Sequence, residues 1–135
     1  MMPIIFINYI PLYYASVSNT PVPPLIIGKF VLIKSEAALF LVFSPKDFTK
    51  YHANLVERFC LDKGLEGSYD RERKRYDIHD KAWTIAGGGK FAIDKSRKTI
   101  RLFDDSMVYG KFDDTGLREI MNTLPEFAEF TIQIE

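Results

Sequence analysis

The sequence predicts a single α+β domain, in which one mixed, mostly antiparallel β-sheet of about six strands packs with two α-helices. Three observations predict this class. The length of 135 residues is typical of one domain. A hydrophobic fraction of 47% is enough to build a buried core. The patterns along the chain read strand, strand, helix, strands, helix, strand, with no internal repeat and no linker.

Charged residues are distributed unevenly, although the formal net charge is +0. A neutral chain lacks the basic field of a typical nucleic-acid-binding protein, so we expect no nucleic-acid partner. No charged residue precedes Lys29. We therefore divide the chain into an uncharged apolar N-terminal segment, residues 1–28, and a domain that comprises residues 29–135.

The N-terminal segment is apolar from about Pro3 to Val17, which is shorter than the ~20 residues that span a membrane as a helix. Its length would suit a signal peptide, but no basic residue precedes the apolar run. Three prolines between positions 21 and 24 favour a stiff bend after an added edge strand. We expect a cytoplasmic protein with no membrane partner; formation of a homo-oligomer through this segment is an alternative role.

Cysteine and histidine, the usual ligands of zinc and other transition metals, are scarce. The single cysteine, Cys60, excludes an internal disulfide and zinc sites built on cysteine pairs. Only two histidines are present, His52 and His79. His79 stands between carboxylates in a charged stretch, a pattern more typical of a solvated loop than of a metal site. We therefore expect no metal and no cofactor.

The first half of the domain predicts a hairpin and a helix. Two apolar runs, residues 30–33 and 39–43, are separated by a polar break and predict paired strands. Asp47 or Thr49 is the expected N-cap of the following helix, and Gly64 is its expected end. Apolar side chains at offsets of three, four and four residues define that helix: Phe48, Tyr51, Leu55 and Phe59.

The middle of the domain predicts further strands and one basic run. Residues 65–69 predict a strand, and the charged run 71–75 is typical of a hairpin tip. RNA binding through this run is the alternative, although no aromatic residues are interleaved with it. Strands flank the glycine triplet 87–89, and alternation predicts another strand over residues 99–103.

The C-terminal part predicts a second helix and a last strand. Asp113 or Asp114 is the expected N-cap of this helix, and Pro125 is its expected stop. Residues 130–134 alternate between apolar and polar side chains and predict the final strand. The helix itself is marked by apolar residues at helical spacing: Leu117, Ile120, Met121 and Leu124.

The glycine triplet, Gly87, Gly88 and Gly89, is followed by Lys90. With Ala92 it fits the spacing of a dinucleotide-binding loop, but that motif requires a following helix, and here a strand follows. A P-loop is excluded because its first glycine is missing. Two interpretations stay open. The glycines form a bulge or tight bend in the sheet, or their missing side chains let the backbone or Lys90 approach a bound anion.

His52 stands near the start of the first predicted helix. A histidine there is usually a surface or capping residue, but free N–H groups and the positive end of a helix dipole attract phosphate. The same field keeps an imidazole neutral and nucleophilic near pH 7. Ser106 follows a predicted strand and begins a loop that is ordinary by itself, although its hydroxyl and the next N–H groups can also donate to an anion.

Taken together, these segments resemble the Janus/Ocnus family, which includes protein phosphohistidine phosphatases. The resemblance covers residues 30–135 and implies an α+β fold with a mixed six-stranded sheet between two helices. Three strings carry it: Tyr51-His52-Ala53-Asn54-Leu55, similar to Y-H-A-D-I; Gly87-Gly88-Gly89-Lys90, similar to G-G-G-R; and Ser106-Met107-Val108-Tyr109-Gly110, similar to S-M-x-Y-G.

The resemblance implies a metal-independent phosphatase that acts on phosphohistidine or a related phosphoramidate, in a phosphorylated protein or a small molecule. His52 matches the catalytic histidine of the family, as a nucleophile or general base. Lys90 replaces the arginine that follows the glycines. The implied phosphate-binding residues are Tyr51, Ala53, Ser106, Met107, Val108, Lys90 and Lys29.

The family also carries a lysine on a strand, and two positions compete for it. Lys29 matches this lysine if the strand that follows Gly28 is the equivalent one. If the strand nearest the helix is equivalent, Phe40 takes the place and the lysine is absent. The second case favours the alternative function, a catalytically silent module that binds phosphate or a phosphoprotein on the same fold.

Overall fold

The computed structural model describes residues 3–135. A short 3-10 helix, Pro125–Phe127, precedes the last strand. The other elements, in chain order, are β1 (Ile4–Asn8), α1 (Ile10–Ser16), β2 (Leu25–Lys34), β3 (Leu39–Pro45), α2 (His52–Lys63), β4 (Gly67–Tyr69), β5 (Tyr76–Ile78), β6 (Thr84–Asp94), β7 (Thr99–Phe103), α3 (Leu117–Asn122) and β8 (Thr131–Ile134).

Six strands form one mixed sheet in the order β1-β3-β2-β6-β7-β8. The four inner strands pair antiparallel with one another, whereas the edge strands β1 and β8 run parallel to β3 and β7. Strands β4 and β5 form a separate hairpin, and the basic run is the turn between them. The predicted α+β fold with a mixed, mostly antiparallel sheet is confirmed.

The two faces of the sheet bury two separate apolar clusters. Side chains alternate between faces along a strand, so neighbouring residues of β2 belong to different clusters. Phe30 and Leu32 lie on the face that packs against α3, while Val31 and Ile33 lie on the face covered by α2. The face under α2 is the one that carries the candidate site residues.

The N-terminal segment contributes β1 to the edge of the sheet, where Ile5 is paired with Phe40 of β3; residues 1 and 2 lie outside the described part. The short helix α1 was not predicted from the sequence, because Pro11 reads as a break. Proline is tolerated in the first helical turn, where its missing N–H leaves no bond unmade. No helix among the described residues is long and apolar enough to cross a membrane.

Helix α2 begins later than the sequence predicts. Neither Asp47 nor Thr49 is its N-cap; Tyr51 occupies that position in an extended conformation. The Tyr51 N–H donates to Oδ1 of Asn54 at 3.0 Å, which satisfies the backbone at the cap. Apolar spacing alone cannot distinguish a helix from the turn before it, so the predicted helix began about one turn too early. The end is as predicted, since Gly64 closes the helix with φ 70.

Helix α3 also begins differently from the prediction. Its N-cap is Gly116, with φ 69, so neither Asp113 nor Asp114 is the cap. The Asp113 carboxylate instead accepts a hydrogen bond from the backbone N–H of Thr115 at 3.0 Å, one turn earlier. The predicted stop holds, because Pro125 begins the separate 3-10 helix.

The glycine triplet lies inside one continuous strand, β6, and the bulge interpretation is confirmed. Val31 of β2 pairs with Gly88, whereas Ile33 pairs with Ile85, so β6 contains one extra residue between the two pairs. Gly87 occupies this bulge with φ 102, a conformation that side chains rarely adopt.

Candidate functional site

His52 is the first residue of α2 and lies over the glycine bulge of β6. Its Nε2 is 2.9 Å from the carbonyl oxygen of Gly89. A carbonyl oxygen only accepts hydrogen bonds, so Nε2 must carry the proton. In the neutral ring the lone pair therefore resides on Nδ1, which makes that nitrogen the nucleophile or base of the imidazole.

Gly88 lets the imidazole approach the sheet. A Cβ atom at this position would lie 3.0 Å from Cδ2 of His52 and 2.6 Å from the carbonyl oxygen of Phe30. Both distances are shorter than ordinary van der Waals contact. The glycine at position 88 therefore provides the space in which the His52 ring rests against β6.

Two lysines lie next to His52 on the same face of the sheet. Lys29 of β2 and Lys90 of β6 are directly paired across the two strands. Lys90 Nζ is 3.0 Å from Oδ2 of Asp104, and both side chains of this ion pair are about half exposed. Sequence patterns did not identify Asp104; its only signal is its place directly after the strand 99–103.

The strand lysine beside His52 is Lys29, because Phe40 is a core residue. Phe40 packs beneath α2, with ring centroids 5.3 Å from Phe59 and 5.4 Å from Trp83. Lys29 is half-buried and its charge acts on the His52 ring. Phe40, the other candidate position for the strand lysine, thus lies under the later turns of α2 rather than at its start.

The surroundings of His52 lower its pKa from the ordinary value of 6.5. Burial is the largest cause, because it disfavours the charged imidazolium. The positive charges of Lys29 and Lys90 act in the same direction, while the Gly89 carbonyl and Asp104 oppose them. The net direction is downward, so the ring is neutral at pH 7.

Ser106 begins a tight loop that is attached to the same glycine bulge. Two backbone hydrogen bonds, at 2.8 and 3.3 Å, join Ser106 to Gly110. The Gly88 N–H donates to the Gly110 carbonyl at 3.1 Å, which docks the loop on β6. Ser106 is 2% exposed, and its Oγ accepts a hydrogen bond from the Tyr109 N–H at 3.0 Å. The loop and His52 therefore meet at Gly88.

The family of the chain is identified by its match to a family sequence profile. The sequence profile of the Janus/Ocnus family matches residues 28–131, which is most of the chain. The chain belongs to the Janus/Ocnus family. No curated protein sequence matches it. The family match begins just before Lys29 and includes His52, the glycines and the Ser106 loop, whereas β1 and α1 precede it.

The basic run of this Janus/Ocnus protein holds the Ser106 loop in place. Arg75 Nη1 donates to the Val108 carbonyl at 2.9 Å, and its guanidinium lies 4.9 Å from the centroid of the Tyr109 ring. The Tyr109 hydroxyl donates to the carbonyl of Tyr76 at 2.6 Å and accepts from the Tyr76 N–H at 2.9 Å. The β4–β5 hairpin is thus anchored to the loop, a contact that the sequence did not predict.

The backbone at the start of α2 adds N–H groups to the candidate site. The N–H groups of His52 and Ala53 lie in the first turn, where a helix offers them no acceptor. The helix dipole adds positive potential at this end. Tyr51 and Met107 are 59% and 99% exposed. The thioether of Met107 carries no hydrogen-bond donor, so Met107 can offer an anion only its backbone N–H.

The remaining histidine lies apart from this site. Exposed His79 pairs its Nε2 with Oγ of Ser68 at 2.8 Å, beside the β4–β5 hairpin. Among residues 3–135, no three His, Cys, Asp or Glu side chains gather into a group that could hold a metal ion. A cavity of about 430 Å³ lies on the opposite face of the sheet, between apolar residues such as Phe6, Ile26 and Phe127. No histidine lines its walls.

Proposed function

We propose that this Janus/Ocnus protein is a metal-independent phosphatase that hydrolyses phosphohistidine or a related phosphoramidate. The observation that supports it best is the hydrogen bond from His52 Nε2 to Gly89. This bond leaves Nδ1 as the lone-pair nitrogen at the start of a twelve-residue helix, where a phosphoryl group is favoured. The substrate would be a phosphorylated protein or a small phosphoramidate.

His52 can act in one of two ways. As a nucleophile, Nδ1 forms a bond to phosphorus while the bond from phosphorus to the substrate nitrogen breaks, and that nitrogen takes up a proton. Water then cleaves the phosphorylated His52 and releases phosphate. As a general base, Nδ1 accepts a proton from water while the water oxygen attacks phosphorus directly, the bond from phosphorus to the substrate nitrogen breaks, and that nitrogen takes up a proton. The two routes differ in whether a phosphorylated enzyme forms.

The groups around His52 suit the charge of a phosphoryl transfer. The transition state is loose and spreads negative charge over the three phosphoryl oxygens. Fixed donors stabilise that charge without reorganisation. The N–H groups of His52 and Ala53, the Ser106 loop, and the ammonium groups of Lys29 and Lys90 would supply them. These charges are the reason for proposing a reaction that does not use a metal ion.

The direct test is hydrolysis of phosphoramidate and of a phosphohistidine-containing protein in the presence of EDTA. We expect the wild-type protein to release phosphate and His52→Ala to release none while keeping its circular dichroism spectrum. His79→Ala is the matched control, because it removes the other histidine, and we expect it to keep full activity. Activity that survives in His52→Ala, or that requires a divalent metal, would exclude the proposal.

The alternative function is a silent module that binds phosphate or a phosphoprotein. The ion pair between Lys90 and Asp104 favours it. Lys29 and the N–H groups at the start of α2 would still bind phosphate, while the ammonium group of Lys90 would be withheld from the charge that develops in a phosphoryl transfer. A wild-type protein that binds inorganic phosphate at this site but hydrolyses neither substrate would support this alternative.

A further inference from the structure

A cavity of about 290 Å³ adjoins the proposed phosphate site and carries three lysines, Lys29, Lys46 and Lys90. Its walls also include the apolar side chains of Ile27 and Phe103. Lys46 lies just after β3, where its N–H donates to the Ile27 carbonyl at 3.1 Å. Sequence patterns did not single out Lys46, since it reads as an ordinary polar residue between a strand and a helix.

Strand geometry places this cavity beside the catalytic position rather than on it. Along β6, Gly88 lies beneath His52, and Lys90 follows two residues later on the same face. Side chains two residues apart along a strand are separated by about 7 Å. On β2, Ile27 lies two residues beyond Lys29 in the same direction. The cavity therefore begins at the lysine pair and extends away from the imidazole.

The positive charge of this cavity is only partly balanced. Lys90 forms an ion pair with Asp104 at 3.0 Å. Neither Lys29 nor Lys46 has a carboxylate partner within the part of the chain that the structure describes. Burial lowers the pKa of Lys29, and the positive charges of Lys90 and Lys46 lower it further, as expected for a lysine that faces two like charges. A bound anion would relieve this repulsion.

We infer that this cavity binds a second anionic group of the substrate, the carboxylate of an Asp or Glu that lies within two residues of the phosphohistidine. The inference rests on the proposed function. An extended peptide advances about 3.3 Å per residue, so such a carboxylate reaches the lysine cavity while the phosphoryl group lies at His52. The apolar walls, Ile27 and Phe103, offer contact for the methylene groups of the acidic side chain.

The test uses phosphohistidine peptides of equal length that carry Glu at one of the four positions within two residues of the phosphohistidine, each with a Gln counterpart. We expect the best Glu peptide to show a kcat/KM about 5- to 10-fold above its Gln counterpart, as a charge-assisted hydrogen bond allows. The ratio should shrink as salt is added. In Lys46→Gln the ratio of kcat/KM between the Glu and Gln peptides should fall to about one, and in Lys46→Arg this ratio should recover. Phosphoramidate hydrolysis should stay unchanged in both variants.

Lys81→Gln is the control, because it removes an exposed lysine outside the cavity. The same peptides, carrying a fluorescent label, can also be bound to His52→Ala protein. Fluorescence anisotropy then measures their binding to the cavity without turnover. A wild-type protein that fails to hydrolyse phosphoramidate while Lys46-dependent binding of the Glu peptide persists would overturn the proposed function and support the carboxylate site. Equal behaviour of Glu and Gln peptides, or a preference that survives Lys46→Gln, overturns the inference.

Discussion

The imidazole of His52 donates from Nε2 to the carbonyl oxygen of Gly89 over 2.9 Å, and 37 positions separate the two residues. The acceptor is a backbone atom of β6, one of the two central strands, so its position is set by the sheet rather than by a side chain. The fold itself therefore selects the tautomer of His52. This coupling of a helix start to a strand bulge underlies the first two predictions.

We expect Gly88→Ala to impair both activity and stability. The added methyl group would lie 3.0 Å from the His52 ring and 2.6 Å from the Phe30 carbonyl, so the ring or the strand must shift. Overpacking of this kind costs about 1–3 kcal/mol. Urea denaturation should show a lower free energy of unfolding, and phosphoramidate hydrolysis should fall well below that of a variant of equal stability.

Gly64→Ala supplies that variant. Gly64 has φ 70 with no neighbouring atom in the way of a methyl group, and it lies at the far end of α2 from His52. The left-handed conformation costs a non-glycine residue about 1–2 kcal/mol. We expect a similar loss of stability with unchanged activity. Equal activity of the two variants would show that the gap at Gly88 does not serve the imidazole.

The pKa of His52 should lie below 6.5 in the folded protein. NMR titration of the imidazole protons can measure it, with assignment by comparison with His79→Ala. In Lys29→Gln a positive charge that disfavours imidazolium is removed, so the pKa should rise. The acid limb of kcat/KM should move upward with it. A pKa above 6.5 in the wild-type protein would contradict the burial argument.

The same shift makes the free energy of unfolding depend on pH. His52 in the unfolded chain binds a proton near its ordinary pKa of 6.5, whereas the folded state binds it only at lower pH. The unfolded state then holds more protons, so stability falls as pH drops from about 6.5 through the folded pKa. Urea denaturation across this range should show a shallower decline for His52→Ala than for the wild-type protein.

We expect Asp104→Asn to strengthen phosphate binding. The variant removes the carboxylate that pairs with Lys90 at 3.0 Å, which leaves the ammonium group for the anion. Asp104 has φ 63, and asparagine accepts this conformation well, so the fold should be kept. Because an exposed ion pair in water is weak, calorimetry with inorganic phosphate should show an affinity increase of only a few-fold. Lys90→Gln should lower the affinity for inorganic phosphate.

Tyr109→Phe should loosen the contact between the β4–β5 hairpin and the Ser106 loop. The Tyr109 hydroxyl serves both the N–H and the carbonyl of Tyr76. Its loss leaves two partly buried backbone groups unpaired, at about 1–3 kcal/mol per group. Hydrogen exchange of the Tyr76 amide should accelerate, and the free energy of unfolding should fall. Tyr13→Phe, on α1, is the control and should leave that amide unchanged.

Local chemistry explains why much of this protein could be predicted from its sequence. The alternation in β7 and β8, the apolar stripe of α2 and the cap at Gly64 each depend on residues within a few positions of one another. The same holds for the bulge, since three successive glycines weaken a strand wherever it pairs. The linked motifs around His52, Gly88 and Ser106 were enough to indicate the Janus/Ocnus family.

Predictions became unreliable where the deciding partner is distant in sequence. The misplaced caps of α2 and α3 have a local cause instead: several acceptors compete within one turn, and Thr49 donates to Ser44 Oγ through a buried hydrogen bond. Helix α1 was missed because its stability comes from packing at the sheet edge, where Ile10 enters the core, and not from its own pattern.

The fold class, the order of most elements and the candidate histidine could be predicted from the amino-acid sequence, because they follow from short-range periodicity and motif spacing. Three features could be seen only in the folded protein: Lys29 rather than Phe40 lies beside His52, Lys46 joins the lysine pair, and Gly89 selects the imidazole tautomer. Each of these depends on strand register and on which face a side chain takes. Register is set by pairing between segments far apart in the chain, where a shift of one residue would turn every side chain to the other face.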